Sequence, residues 1–219
     1  MQIVRSKQNS GAASYVPAGA DLDQLREAAQ KCRGCELYRN ATQAVLGEGP
    51  SSARLVMIGE QPGDKEDLAG RPFVGPAGGL LNRALQDAGI DRANVYLTNV
   101  VKHFKFEERG KRRIHKKPTG TEIAACHPWL EAELACVHPE IVVCLGASAA
   151  QGVIGKQHRV LEARGRFFET ALARQVTATV HPSSILRAPD REERRRSYEA
   201  FVSDLKRVQQ RLSKVRKAH

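Results

Sequence analysis

Four short apolar runs set the rhythm of the chain: Leu55 to Ile58, Val95 to Val101, Ile141 to Leu145 and Val176 to Val180. Each is β-branched in part and ends at a polar turn, the pattern of strands covered on both faces. Segments of helical period separate them, over Gly78 to Ala88, over Thr119 to Val137, and in a short stretch after Gly146. A first helix begins at Asp21 with Leu22, Leu25 and Ala29 on one face. A last helix runs from about Arg191, with Tyr198, Phe201, Val202, Leu205, Val208 and Leu212 as its buried stripe and arginines opposite. Thr119 and Glu122 have capping-box spacing, and Pro128 predicts a break or restart of that helix near Cys126. Strands alternating with helices imply a parallel sheet with helices on both faces.

Ligands bind such sheets at the carboxyl ends of the strands, so the polar residues found there become site candidates. They are Glu60 and Gln61 after the first run, Asn99 near the end of the second, and His181-Pro182-Ser183-Ser184 after the fourth. Taken singly, Glu60 also reads as a solvated loop acid and His181 as a core histidine bonded to backbone. Two glycine-rich turns, Gly70 to Pro72 and Gly75 to Gly79, follow the first run closely. Glycine lets backbone approach a ligand, and Phe73 lies between the turns with no strand or helix period to explain it.

The chain of 219 residues has the length of one domain, expected over residues 21–212, with an N-terminal arm over 1–20, a strap or partly disordered, and a basic tail over 213–219. Its formal charge of +11 is concentrated: Lys102 to Lys117 holds eight basic and two acidic residues, and Arg187 to Lys217 holds eleven and five. Such clustering points to a polyanion, a nucleic acid above all. The first residues lack the apolar core of a signal peptide and no stretch approaches a membrane span, so a soluble, cytoplasmic protein with no membrane partner is expected. Its five cysteines are then reduced or metal-bound. No oligomer signal is visible, and a monomer is the default.

Several stretches together resemble one family. GEQPGDKED, GRPFVGPAG, LTNVVK, the Glu122 to Leu130 segment and HPSSILR, spread over Cys32 to Arg187, are similar to the iron-sulfur uracil-DNA glycosylases, whose first motif usually reads GEAPG. Two departures, Gln61 in place of that alanine and a basic insertion over 107–117 carrying Lys111-Arg112-Arg113-Ile114-His115, resemble UdgX, the branch that binds uracil-DNA irreversibly. The resemblance implies a three-layer α/β/α sandwich around a four-stranded parallel sheet. It further implies that uracil is excised from single- or double-stranded DNA and that the protein then stays covalently attached.

Residue by residue, the resemblance implies that Phe73 stacks on the extruded base, that Asn99 pairs with its O4 and N3–H edge, and that His181 bonds its O2. Ser183 and Ser184 contact neighbouring phosphates, Arg113 grips a phosphate or fixes the inserted loop, and Gln61 and Asp64 count with the substrate-binding residues. Glu60 and His115 are the reactive pair, the imidazole attacking C1′ while the carboxylate orients it or takes its proton. Two alternatives stand beside this: an ordinary turning-over glycosylase, in which Glu60 activates water and His115 is one more cation on a basic loop, and a non-catalytic iron-sulfur DNA-binding module. Cys32-x-x-Cys35 alone suits zinc, a redox pair or coincidence. In the relatives a four-iron, four-sulfur cluster takes two more cysteines. One of these corresponds to Cys126 and the other position holds His103, giving the set Cys32, Cys35, His103 and Cys126, with tetrahedral zinc on the same residues as the alternative. Cys136 and Cys144 read as core thiols.

Overall fold

The computed structural model describes residues 11–155 and 164–215. Four strands, β1 (Leu55–Gly59), β2 (Val95–Asn99), β5 (Ile141–Leu145) and β6 (Val176–Thr179), form one parallel sheet in the order β2-β1-β5-β6. Every residue of these strands is buried, as expected of runs covered on both sides. β1 lies between β2 and β5, its register setting Gly59 opposite Asn99, and so the two polar termini of interest end side by side.

Alternate side chains of the strands feed two cores. Val56, Ile58, Val142, Cys144 and Ala178 pack with α1 (Leu22–Ala29), α4 (Gly120–Val137) and α5 (Ala147–Val153). Leu55, Met57, Leu97, Val143 and Leu145 pack with α3 (Pro76–Asp87), α6 (Pro182–Leu186) and the stripe Phe201, Val202, Leu205, Val208 and Leu212 of α7 (Arg191–Val215). The chain is therefore a three-layer α/β/α sandwich. No described helix is long and apolar enough to cross a membrane.

Two local expectations change. Helix α4 runs unbroken through Pro128. Proline removes only one backbone donor from the ladder, and the buried neighbours Cys126, Trp129, Leu130 and Leu134 hold both halves in one core. The segment over 107–117 is not a loop: β3 (Phe106–Arg109) and β4 (Arg112–His115) form an antiparallel hairpin pairing Phe106 with His115 and Glu108 with Arg113. Its turn contains Gly110 at φ 58°, a left-handed conformation that glycine tolerates. Of the expected arm, residues 1–10 lie outside the described residues, whereas Ala12 is buried and its N–H donates to Ala125 O at 2.7 Å, strapping this segment onto α4. Residues 216–219 of the expected tail also lie outside the described residues, while Ser213 to Val215 belong to α7.

Candidate active site

A cleft of about 760 Å³ opens at the carboxyl edge of the sheet, lined among others by Glu60, Gln61, Phe73, Asn99, His115, Ser148, His181, Ser183 and Ser184. The residues that the sequence suggested at separate strand ends thus share one cavity. Asp64 and Arg113 stand outside its wall.

The floor is built by close backbone approach. A Cβ on Gly59 would overlap Asn99 Oδ1 and come within 2.8 Å of Phe73 Cζ, so only glycine fits there. Phe73 itself has φ 57°, uncommon for an aromatic residue. That conformation is held from both sides. Gly78, in the first turn of α3, lies so near the Phe73 carbonyl that a Cβ would overlap it. The Glu66 carboxylate meanwhile accepts from Gly63 N–H at 3.1 Å and Gly75 N–H at 2.6 Å, joining the turn after β1 to the one before α3. The Phe73 ring lies 6.2 Å from that of His181, inclined by 27°. Asn99 is 3% exposed and its side-chain amide has no hydrogen-bond partner among the described residues, which leaves both polar ends for a ligand.

His181 caps α6. Its Nδ1 accepts from Ser183 N–H at 3.1 Å and lies 2.8 Å from Ser183 Oγ, while Ser184 Oγ donates to the His181 carbonyl at 2.7 Å. A backbone N–H can only donate, so Nδ1 must carry the lone pair and Nε2 the proton. Burial pushes the His181 pKa down to about 4, against a smaller upward pull from Glu60. The ring is therefore a neutral Nε2–H donor at neutral pH. If it serves a departing base in that form, activity should stay flat from about pH 8 down to about pH 5 and fall towards the depressed value, because a proton on Nδ1 would oppose the Ser183 donor. A pH profile of single-turnover rate centred on the ordinary value of 6.5 would contradict this. The same shift has a stability consequence. Below 6.5 the unfolded chain binds a proton that the folded chain refuses until about 4, so stability falls as pH drops through that window.

Glu60 faces His115. His115 Nε2 lies 3.3 Å from Glu60 Oε1, and Ser148 Oγ donates to Glu60 Oε2. Burial opposes ionisation of Glu60, but the His115 and Ser148 hydrogen bonds carry its pKa below the ordinary carboxylate value. Ser148 was not anticipated, although it lies just past the end of β5 at the same sheet edge as the others.

The hairpin brings His115 here, and it is held at its base and its flank. Gln61 Nε2 donates to Lys105 O at 3.1 Å and Lys116 O at 3.0 Å, and its Oε1 accepts from Lys105 N–H at 3.2 Å. Alanine at that position could make none of these bonds. Arg113 donates to Asp64 Oδ1 and to the fully buried Asp67 Oδ2, both at 2.6 Å, from α2 (Asp64–Ala69), and its guanidinium lies over Phe104 and Phe106. Asp67 also accepts from Thr42 N–H and Oγ1. Arg113 thus ties the hairpin to α2 through Asp64 and Asp67.

The proposed metal ligands lie apart from the cleft, between α1 and α4. Cys32, Cys35 and Cys126 are unpaired by disulfide, and Cys32 and His103 line a common cavity of about 540 Å³. Cys32 Sγ accepts from Trp129 Nε1–H at 3.2 Å and Cys126 Sγ from Lys102 N–H at 3.3 Å. Burial raises the Cys126 pKa to about 12 and also raises that of Cys35, with Cys32 adding to both. Burial lowers His103 to about 4, keeping its imidazole in the neutral, ligating form. Among the described residues no three His, Cys, Asp or Glu side chains form a group that could hold a single metal ion. Three neighbouring thiols, two of them already accepting N–H bonds, with a neutral imidazole beside them, are donors chemically suited to a sulfur-rich iron cluster.

Comparison with known proteins agrees with the geometry. A family model described as the uracil DNA glycosylase superfamily matches residues 46–206. The type-4 uracil-DNA glycosylase of Thermotoga maritima is 39% identical over 175 residues, covering 80% of this chain and 88% of the relative. Those of Archaeoglobus fulgidus and Pyrobaculum aerophilum are 33% and 35% identical, covering 85% and 77% of this chain and 91% and 86% of theirs.

Proposed function

This chain belongs to the uracil-DNA glycosylase superfamily, and from that premise we propose that it excises uracil from DNA and remains covalently attached to the abasic sugar through His115. The single observation that carries the second half is His115 Nε2 standing 3.3 Å from Glu60 at the cleft where the sugar would lie.

Uracil is reached only after leaving the stack, and the basic segments over 102–117 and 187–217 favour the phosphates on either side. Phe73 supplies the stacking face. The free amide of Asn99 offers a donor to uracil O4 and an acceptor to N3–H; cytosine presents the reverse polarity, and each mismatched buried group costs about 1–3 kcal/mol. As the bond from C1′ to uracil N1 breaks, its electron pair leaves with the base, and His181 Nε2–H meets the charge developing on O2. Glu60 faces the cationic sugar. In place of water, a ring nitrogen of His115 closes the new bond to C1′, and the resulting imidazolium gives up its remaining proton, for which Glu60 is the nearest base.

Cys32, Cys35, His103 and Cys126 would hold the iron-sulfur cluster. Breaking an N-glycosidic bond changes no oxidation state, so the cluster would serve to hold the segments around 32–35, 103 and 126 together.

The test is a uracil-containing oligonucleotide mixed with the protein and run on a denaturing gel, with released uracil assayed in parallel. A stoichiometric, heat-stable adduct supports the reading; uracil released well beyond one equivalent with no adduct makes this an ordinary turning-over glycosylase. Gln61→Ala provides a second check. Removal of the three bonds that close the hairpin base should lower the rate of adduct formation by about tenfold and leave uracil release much less affected. Equal losses in both would place Gln61 in excision itself.

A further inference from the structure

Beneath the floor of the cleft lies a buried ion pair that the chemistry above does not use. Lys102 and Glu133 are both 0% exposed, and Lys102 Nζ lies 2.5 Å from Glu133 Oε2. The same ammonium donates to Thr98 Oγ1 at 2.8 Å and to the Asn99 carbonyl at 2.7 Å. Glu133 Oε1 accepts from Gly47 N–H at 2.6 Å and Tyr96 OH at 3.0 Å, and Thr98 Oγ1 bridges to Oε2 at 2.8 Å. Every polar atom of the pair is satisfied. Even so, apolar residues of similar volume would serve stability as well or better, because desolvating two charges offsets most of their attraction. What apolar residues could not do is grip a carbonyl.

The gripped carbonyl is that of Asn99. Lys102 reaches back three residues to it, closing the turn after β2 into a ring, while Val100 N–H and Val101 N–H bond the carbonyls of Gly59 and Glu60 at 3.0 and 3.1 Å. The backbone of Lys102 is engaged as well: its N–H goes to Cys126 Sγ, and its carbonyl accepts from Val45 N–H at 2.8 Å. One residue thus touches the base-reading asparagine with its side chain and a proposed cluster thiol with its main chain.

We infer that Lys102, set by Glu133, is a positioning residue for uracil excision: it fixes the Asn99 backbone so that the free amide stands at the cleft floor. The inference rests on the reading of Asn99 as the base-pairing residue, and the experiment separates the two.

Single-turnover uracil release would be measured for the wild type, Asn99→Ala, the pair Lys102→Met with Glu133→Gln, and the three changes combined. Glutamine keeps an acceptor for Gly47 and Tyr96, so the pair removes both charges without stranding those donors. The expected result is a loss of about 10- to 100-fold in the double variant at unchanged iron content and thermal midpoint, and no further loss when its changes are added to Asn99→Ala. Additive losses, or a wild-type rate in the double variant, would overturn the inference. An Asn99→Ala protein of wild-type rate would instead sink the reading of Asn99. Should the double variant not fold, Lys102→Arg keeps the charge but not the compact three-way grip. It should slow release with iron retained, and a wild-type rate there would also count against Lys102.

Discussion

Replacing His115 by alanine is expected to abolish the denaturation-resistant adduct completely while uracil release continues, now beyond one equivalent of protein. The asymmetry follows from what each group does. In the proposed reaction bond breakage depends on Glu60, Asn99, Phe73 and His181; of these Glu60 alone meets the His115 side chain, and the Ser148 hydroxyl still holds it in the variant. Capture depends on the imidazole alone. Once attached and deprotonated, a substituted imidazole is a neutral, poor leaving group comparable to a nucleobase, so the bond persists; the hemiacetal left by water does not hold the protein. Removing the ring opens the space beside Glu60 Oε1, 3.3 Å from the present Nε2, and water can enter it. The measurement is the denaturing gel and the uracil assay on one sample. If the variant still forms the adduct, another nucleophile captures the sugar. If it releases no uracil at all, His115 acts in bond breakage as well.

Much of this arrangement was legible in the sequence, for identifiable reasons. Runs such as Leu55 to Ile58 and Ile141 to Leu145 are apolar on both faces, which leaves them no place but the middle of a covered sheet. Parallel order then delivers Glu60, Asn99 and His181 to one edge without further information. The hairpin was not legible. Phe106 to His115 is mostly charged, and its stability comes from outside it, from Gln61 across 55 residues to Lys116 and from Asp67 across 46 to Arg113. Glu107 contributes too, its pKa drawn down to about 2 by Lys116 and then Arg109. A pattern read within one window carries no trace of such partners. Ser148 and the pair of Lys102 with Glu133 escaped for the same reason: each residue is ordinary in its segment, and its meaning lies in a contact made by the fold.

Glu60→Gln tests the other half of the reaction and should show a comparably large effect. Uracil release under single-turnover conditions is expected to fall by about 10²- to 10³-fold, and adduct formation to fall with it, since His115 can capture only a sugar whose bond to uracil has opened. Glutamine preserves size and one acceptor. What it removes is a negative charge that the site favours: burial pushes the pKa of this carboxyl up, and the His115 and Ser148 hydrogen bonds outweigh that. A charge maintained against desolvation, at the end of a strand and facing the reacting centre, is one whose field stabilises a cation forming there. Parallel loss of release and adduct therefore assigns Glu60 to bond breakage. A variant that releases uracil at the wild-type rate but traps slowly would confine Glu60 to aligning and deprotonating His115, and the cationic sugar would then need another counter-charge from the cleft.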